Sequence, residues 1–114
     1  MKVSMGIHIL LNLHGCPPEL LERSEVVARL LNEVVAETNL TKLGENHHQF
    51  DPYGVTSIIL LAESHISIHT WPEQGGSAAV DIFTCGDPKD ADIAFEAIKK
   101  KFRPTKITTQ KIIR

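Results

Sequence analysis

Residues 57–70 hold two strand-like runs end to end, separated only by Glu63-Ser64. Ser57-Ile58-Ile59-Leu60-Leu61-Ala62 is a short apolar run of the length of a buried strand, and His65-Ile66-Ser67-Ile68-His69-Thr70 alternates strictly. A chain can pass from one such run to the next this quickly only through a tight turn near Glu63 and Ser64. The alternation puts His65, Ser67 and His69 on one face of the second strand and Ile66 and Ile68 on the other. One face is then core, and the other is polar.

The rest of the chain fits around this pair. Val3, Met5, Ile7, Ile9, Leu11 and Leu13 alternate with Ser4, His8 and Asn12, the period of a strand with one buried face, and Gly15-Cys16-Pro17-Pro18 stops it. From Glu19 onward Leu20, Val27, Leu30, Leu31 and Val34 form one helical stripe, and the helix is expected to end near Asn39. Residues 40–55 are polar and turn-rich, which reads as a weak strand followed by a loop able to bear function. Gly75-Gly76 marks a turn, 78–84 a strand, 91–102 a helix ended by Pro104, and 106–113 a last strand. Four strands in sequence between two helices favour an α+β two-layer sandwich, with a largely antiparallel sheet and two helices on one face.

A length of 114 residues with 42% apolar content allows a single globular domain over 1–114. A core this small gains from self-association, so a homo-oligomer is expected. Twelve basic against 14 acidic residues, with neither sign in a long block, gives no footprint for nucleic acid. The apolar run at 57–62 is far shorter than the ~20 residues of a membrane helix, and no membrane partner is expected. Ile7 to Leu13 is broken by His8 and Asn12 and lacks a small-residue cleavage site, so it reads as a strand rather than a signal peptide. The two cysteines, Cys16 and Cys85, show no paired spacing, which suits thiols in a reducing, cytoplasmic setting.

A serine hydroxyl is a nucleophile only when its surroundings activate it. Cys85 closes the run Val80-Asp81-Ile82-Phe83-Thr84-Cys85 just before Gly86, where a strand end can present its thiol to a neighbouring strand. Ser64, a histidine and Cys85 can therefore converge. Equally, Ser64 can be a surface hairpin residue, His69 a hydrogen-bonded strand residue and Cys85 a buried structural thiol; the residues alone leave both readings open. No Gly-x-Ser-x-Gly elbow surrounds Ser64, which argues against a serine hydrolase. His47 and His48 lack metal-ligand spacing and, being adjacent on an extended strand, point opposite ways, so no metal is expected.

The longer stretch Glu63-Ser64-His65-Ile66-Ser67-Ile68-His69-Thr70-Trp71-Pro72-Glu73 resembles the processing motif of the prokaryotic S-adenosylmethionine decarboxylase proenzymes, a pyruvoyl-dependent family. Gly6-Ile7-His8, Gly15-Cys16, the run from His48 to Thr56 and the run from Ala78 to Gly86 support it, so the resemblance covers nearly the whole chain. It implies that the Ser64 hydroxyl attacks the Glu63 carbonyl, turning the amide into an ester. Elimination and hydrolysis then give a β chain of residues 1–63 and an α chain of 64–114 that begins with a pyruvoyl group made from Ser64.

By the same resemblance His69 is the base of the elimination and Thr56 helps to steady the cyclic intermediate. The pyruvoyl would form a Schiff base with the substrate amine and take up the electrons left by carbon dioxide, as pyridoxal phosphate does elsewhere. Cys85 resembles the residue that reprotonates the product, Phe50 the aromatic that stacks on adenine, and Glu73 the carboxylate that binds ribose. Ile66 is counted with these substrate-binding residues, and His65 is read as structural or indirect. Asp81, on the face of Phe83 and Cys85, is an open candidate for a histidine's partner.

The implied substrate is S-adenosylmethionine, decarboxylated to the aminopropyl donor for spermidine synthesis, at sites on the interface of a homodimer of cleaved αβ protomers. Two departures lie near where a substrate is read. Ile7 stands where the family often has lysine or arginine, and Gln74-Gly75-Gly76-Ser77 makes a longer segment, expected to be more flexible. Arginine or ornithine decarboxylation by the same machinery, and a non-processing paralogue that binds an active relative, are the alternatives.

Overall fold

The computed structural model describes residues 5–114, so Val3 and Ser4 of the first alternation lie outside the described residues. Six strands, β1 (Ile7–His14), β2 (Lys42–Gln49), β3 (Val55–Leu61), β4 (Ser64–Trp71), β5 (Ser77–Thr84) and β6 (Lys106–Ile113), form one sheet in the order β2-β3-β4-β5-β1-β6. Every neighbouring pair is antiparallel. Helices α1 (Ser24–Ala36) and α2 (Pro88–Phe102) pack on each other and against one face of the sheet, giving the expected α+β sandwich.

Period-2 patterning does most of the work. Ile59, Ile66 and Ile82 lie in register across β3, β4 and β5, and all three are fully buried. Leu11 and Leu13 extend this layer on β1, and Val27, Leu31 and Val34 of α1 with Ala94, Ile98 and Phe102 of α2 close it from the helical side. Among the described residues the opposite face of the sheet carries no helix. It presents His8 and Leu10 on β1, Asp81 and Phe83 on β5, His65, Ser67, His69 and Trp71 on β4, and Thr56, Ile58 and Leu60 on β3.

The starts of β1, α1 and α2 differ from the sequence expectation, α1 ends at Ala36 rather than near Asn39, and one turn is firmer than expected. Met5 is 69% exposed and precedes β1, which starts at Ile7. The first helix starts at Ser24 rather than Glu19, after a separate 3-10 turn at Pro18–Leu20. Backbone groups between the two are taken by distant partners: the Leu21 carbonyl accepts from Thr70 Oγ1 (2.8 Å), and the Glu22 carbonyl from Gln49 Nε2 (2.9 Å) and the Gly54 N–H (3.2 Å). Gln49 Oε1 also accepts from the first helical N–H, that of Ser24, at 2.6 Å. This helix is capped across space rather than along the chain.

The second helix starts at Pro88 rather than Ala91, because Asp87 accepts from the Lys89 N–H (2.9 Å) as an N-cap and Pro88 fills the first turn. The segment 74–77 is pinned, not loose. The Gly15 N–H donates to the Gly75 carbonyl (3.1 Å) and the Cys16 N–H to the Gly76 carbonyl (2.9 Å). Gly76, at φ +71, approaches so closely that a Cβ would lie 2.0 Å from the Cys16 carbonyl oxygen.

Thr70 is the buried polar hinge of this arrangement. Its hydroxyl donates to the Leu21 carbonyl and accepts from the Val55 N–H (2.9 Å), tying β3, β4 and the segment before α1 together. Thr70→Val keeps the shape and strands both backbone groups, so it is expected to lower stability by about 1–3 kcal/mol, read as a lower midpoint in urea unfolding.

Candidate active site

The turn between β3 and β4 consists of Ala62 and Glu63, because Leu61 pairs with Ser64. Ser64 also pairs with Thr84 at the end of β5, which brings Cys85 and Gly86 alongside Glu63. The Glu63 carbonyl oxygen accepts from the Cys85 N–H at 2.9 Å and from Cys85 Sγ at 3.2 Å. The Glu63 side chain is anchored separately, with Oε1 accepting from the Thr41 N–H at 2.9 Å. Gly6 leaves room for the chain to pass beside Cys85, since a Cβ there would lie 2.7 Å from the Thr84 carbonyl oxygen. Ser64 has φ +151, a conformation rarely adopted by residues other than glycine. Strain is thus placed on the residue that follows the gripped carbonyl.

The other end of β4 carries the second group of expected residues. His69 pairs with Thr56, and Thr56 Oγ1 and His69 Nδ1 share a hydrogen bond of 3.1 Å. Both line a cleft of about 360 Å³ with Phe50, Tyr53, Trp71 and Glu73. Phe50 is 48% exposed with its ring edge-on to His48 (4.6 Å between centroids), so it is no core aromatic. Gln49 Nε2, within hydrogen-bonding distance of the Phe50 and Gly54 carbonyls (2.9 and 3.1 Å), ties the 50–54 loop to the start of α1.

The structure therefore joins Glu63, Ser64 and Cys85, and separately joins Phe50, Thr56, His69 and Glu73. His69 follows Ser64 by five residues on one strand, a separation of about 16 Å at the usual rise, so within one chain His69 does not join Ser64 and Cys85; the histidine that lies beside them is His65. Cys85 is exposed rather than a buried structural thiol, whereas Cys16 is buried and its thiol is pushed up to about 11 by burial. Ile66 is corrected as a substrate-binding residue. It is fully buried against Ile59 and Ile82, on the face away from His65 and His69. Ile7 packs against the same core and does not line the cleft. His47 and His48 do face opposite ways: His47 Nδ1 meets the buried Ser57 Oγ (2.8 Å), while His48 meets Phe50.

Two cleft residues were not singled out from sequence. Tyr53 and Trp71 line the cleft, and the parity of Trp71 with His69 on β4 was the signal for the latter. The middle of the open face holds a polar network in which Asp81 lies 3.5 Å from His8 Nε2 and accepts from Ser67 Oγ at 3.4 Å. His8 is thus a histidine beside Asp81, with no hydrogen bond between them. His65, read from sequence as structural or indirect, has Nδ1 3.4 Å from Ser64 Oγ.

If Ile66 serves the core alone, Ile66→Ala is expected to cost about 2–5 kcal/mol of stability and to leave the KM of the folded protein unchanged, as read by urea unfolding beside steady-state kinetics.

The family model described as S-adenosylmethionine decarboxylase matches residues 7–114. The S-adenosylmethionine decarboxylase proenzyme of Thermoplasma volcanium is 45% identical over 114 residues, spanning 100% of this chain and 87% of the relative. That of Archaeoglobus fulgidus is 49% identical over 100 residues, 88% of each chain. The crystal structure of the adenosylmethionine decarboxylase from Aquifex aeolicus matches with a TM-score of 0.94 at 43% identity, covering 99% of this chain and 92% of that one. With the fold, the whole-length identity and the motif in agreement, this chain belongs to the S-adenosylmethionine decarboxylase family.

Proposed function

We propose that this chain is a proenzyme that cuts itself between Glu63 and Ser64 and then decarboxylates S-adenosylmethionine. The observation that carries the reading is the double grip of Cys85 on the Glu63 carbonyl oxygen. Two donors aimed at one carbonyl oxygen favour the negative charge that develops there when a nucleophile attacks the carbon. The adjacent Ser64 Oγ is that nucleophile. Attack breaks the Glu63–Ser64 amide, forms an ester and leaves the Ser64 nitrogen as a free amine. Loss of the Ser64 α-proton to an imidazole then expels the Glu63 carboxylate, and hydrolysis releases ammonia. The products are residues 1–63 and a chain beginning at position 64.

The pyruvoyl group left at position 64 would supply the electrophilic carbonyl that captures the substrate amine and accepts the electrons released with carbon dioxide. Ser64 and Cys85 fit this use, because a thiol held beside position 64 is placed to return a proton to the product. The cleft at the far end of β4 suits a nucleoside-bearing substrate. Phe50, Tyr53 and Trp71 offer ring faces, and Glu73 offers an acceptor for sugar hydroxyls. An arginine or ornithine side chain would leave those aromatic faces unused.

The separation of about 16 Å along β4 supports a site completed by a second copy. The helix-free face exposes Leu60, Trp71 and Ile112 at 51%, 40% and 37%, apolar area that a second sheet would cover. If two such faces dock about a two-fold axis near the middle of β4, the His69 end of one copy meets the Ser64 end of the other. The imidazole that takes the Ser64 α-proton would then come from the second copy.

Intact mass spectrometry of the purified protein is expected to show two fragments, the carboxy-terminal one lighter by one ammonia than an unmodified chain starting at Ser64. Ser64→Ala should give one uncut chain with no carbon dioxide release. Wild-type protein that remains uncut would contradict the proposal, as would release of carbon dioxide from arginine or ornithine and none from S-adenosylmethionine.

A further inference from the structure

The proposed cut leaves one proton unassigned: Ser64 Oγ–H must lose it to attack, and the leaving amine must gain one. His69 is too far along the strand to serve within its own chain. Cys85 is engaged with the Glu63 carbonyl, to which both its N–H and its Sγ are directed. The residue next to Ser64 is the one whose ring nitrogen meets the hydroxyl, His65 Nδ1 at 3.4 Å. A distance at the long end of hydrogen bonding is usual for a base before its substrate group moves in.

We propose that His65 is the general base and acid of the first, amide-to-ester step of self-cleavage, an inference that rests on the proposed cut at Glu63-Ser64. In this step the Ser64 Oγ–H bond breaks and its proton passes to His65 Nδ1, while Oγ bonds to the Glu63 carbonyl carbon. The carbonyl electrons move onto the oxygen held by Cys85. When they return, the Glu63–Ser64 carbon–nitrogen bond breaks and His65 gives the proton to the departing amine. The step is neutral overall and needs no further reactant.

The surroundings of His65 suit both halves of this task. Its ring lies among Phe83 and Asp81 of β5, His8 of β1 and the uncharged Leu60 of β3, with Ser64 and Glu63 on its own side of the turn. Arg114 stacks over Phe83, its guanidinium 4.8 Å from the ring centre. Burial lowers the imidazole's affinity for a proton, the Asp81 carboxylate partly restores it, and His8 opposes it again. His65 is thus neutral near pH 7, ready to accept, while Asp81 steadies the imidazolium formed during the step. Asp81 itself accepts from Ser67 Oγ. The network on the open face then has a role as a positioning device for the processing base.

The test follows single-turnover cleavage of the full chain made by cell-free synthesis, quenched at intervals and read as precursor against fragments. The wild type is expected to lose rate on acidification with a midpoint below the ordinary imidazole value of about 6.5, because the base must be unprotonated. His65→Ala is expected to cleave at least about 100-fold more slowly, and its uncut chain should resist hydroxylamine, which cuts esters, because no ester has formed. Cleavage of His65→Ala at the wild-type rate, or an uncut His65→Ala chain that hydroxylamine splits at Glu63, would overturn the assignment. Asp81→Asn keeps the imidazole in place and serves if His65→Ala fails to fold; its acid limb should move to lower pH, and an unmoved limb would also overturn it. A wild-type chain that never cleaves counts instead against the proposed cut itself.

Discussion

The register of β4 between β3 and β5 is the constraint on which the rest depends. It sets Ser64 opposite Thr84, so that Cys85 meets the Glu63 carbonyl, and it sets His69 opposite Thr56, so that their side chains bond. A slip of one residue would turn every side chain of β4 to the other face. The register is held because such a slip would exchange Ile66 and Ile68 in the core for histidine and serine. Core packing and site chemistry are two readings of one alternation, which is why the site lies on a sheet rather than on a mobile loop.

The two-residue turn at Ala62-Glu63 concentrates several demands. It must close the hairpin, present a carbonyl to β5 and place Ser64 in a strained conformation. Its neighbours share the load: Thr41 fixes the Glu63 side chain, Gly6 yields space beside Cys85, and Cys85 holds the carbonyl. Under the proposed cut, the fold holds the residues of its own cleavage together.

Much of the fold was legible because its signals are local. The alternation at 65–70, the apolar run at 57–62 and the stripe at Val27, Leu31 and Val34 each identify an element without outside help. The errors fall where a distant group decides. Ser24 begins the first helix because Gln49, 25 positions away, caps it; no local residue announces that. Residues 74–77 are firm because Gly15 and Cys16 hold them. Asp87-Pro88 was a local start signal for the second helix that an apolar count beginning at Ala91 passed over. For the site, the motif named Ser64, His69 and Cys85 but not the length of strand between them. A motif carries residue roles without saying which copy of the chain supplies each, and it placed Ile66 at the substrate although its parity puts it in the core.

A proposed site whose two halves lie about 16 Å apart along one strand makes a sharp demand on assembly. Co-expression of Ser64→Ala with His69→Ala, followed by intact mass analysis of the two chains, tests it most directly. Alone, each variant should stay uncut. Together, the His69→Ala chain should be cleaved, because its Ser64 meets the intact His69 of the Ser64→Ala copy. Failure of the mixed protein to cleave although the two chains co-purify, or cleavage of His69→Ala alone at the wild-type rate, would contradict the shared site.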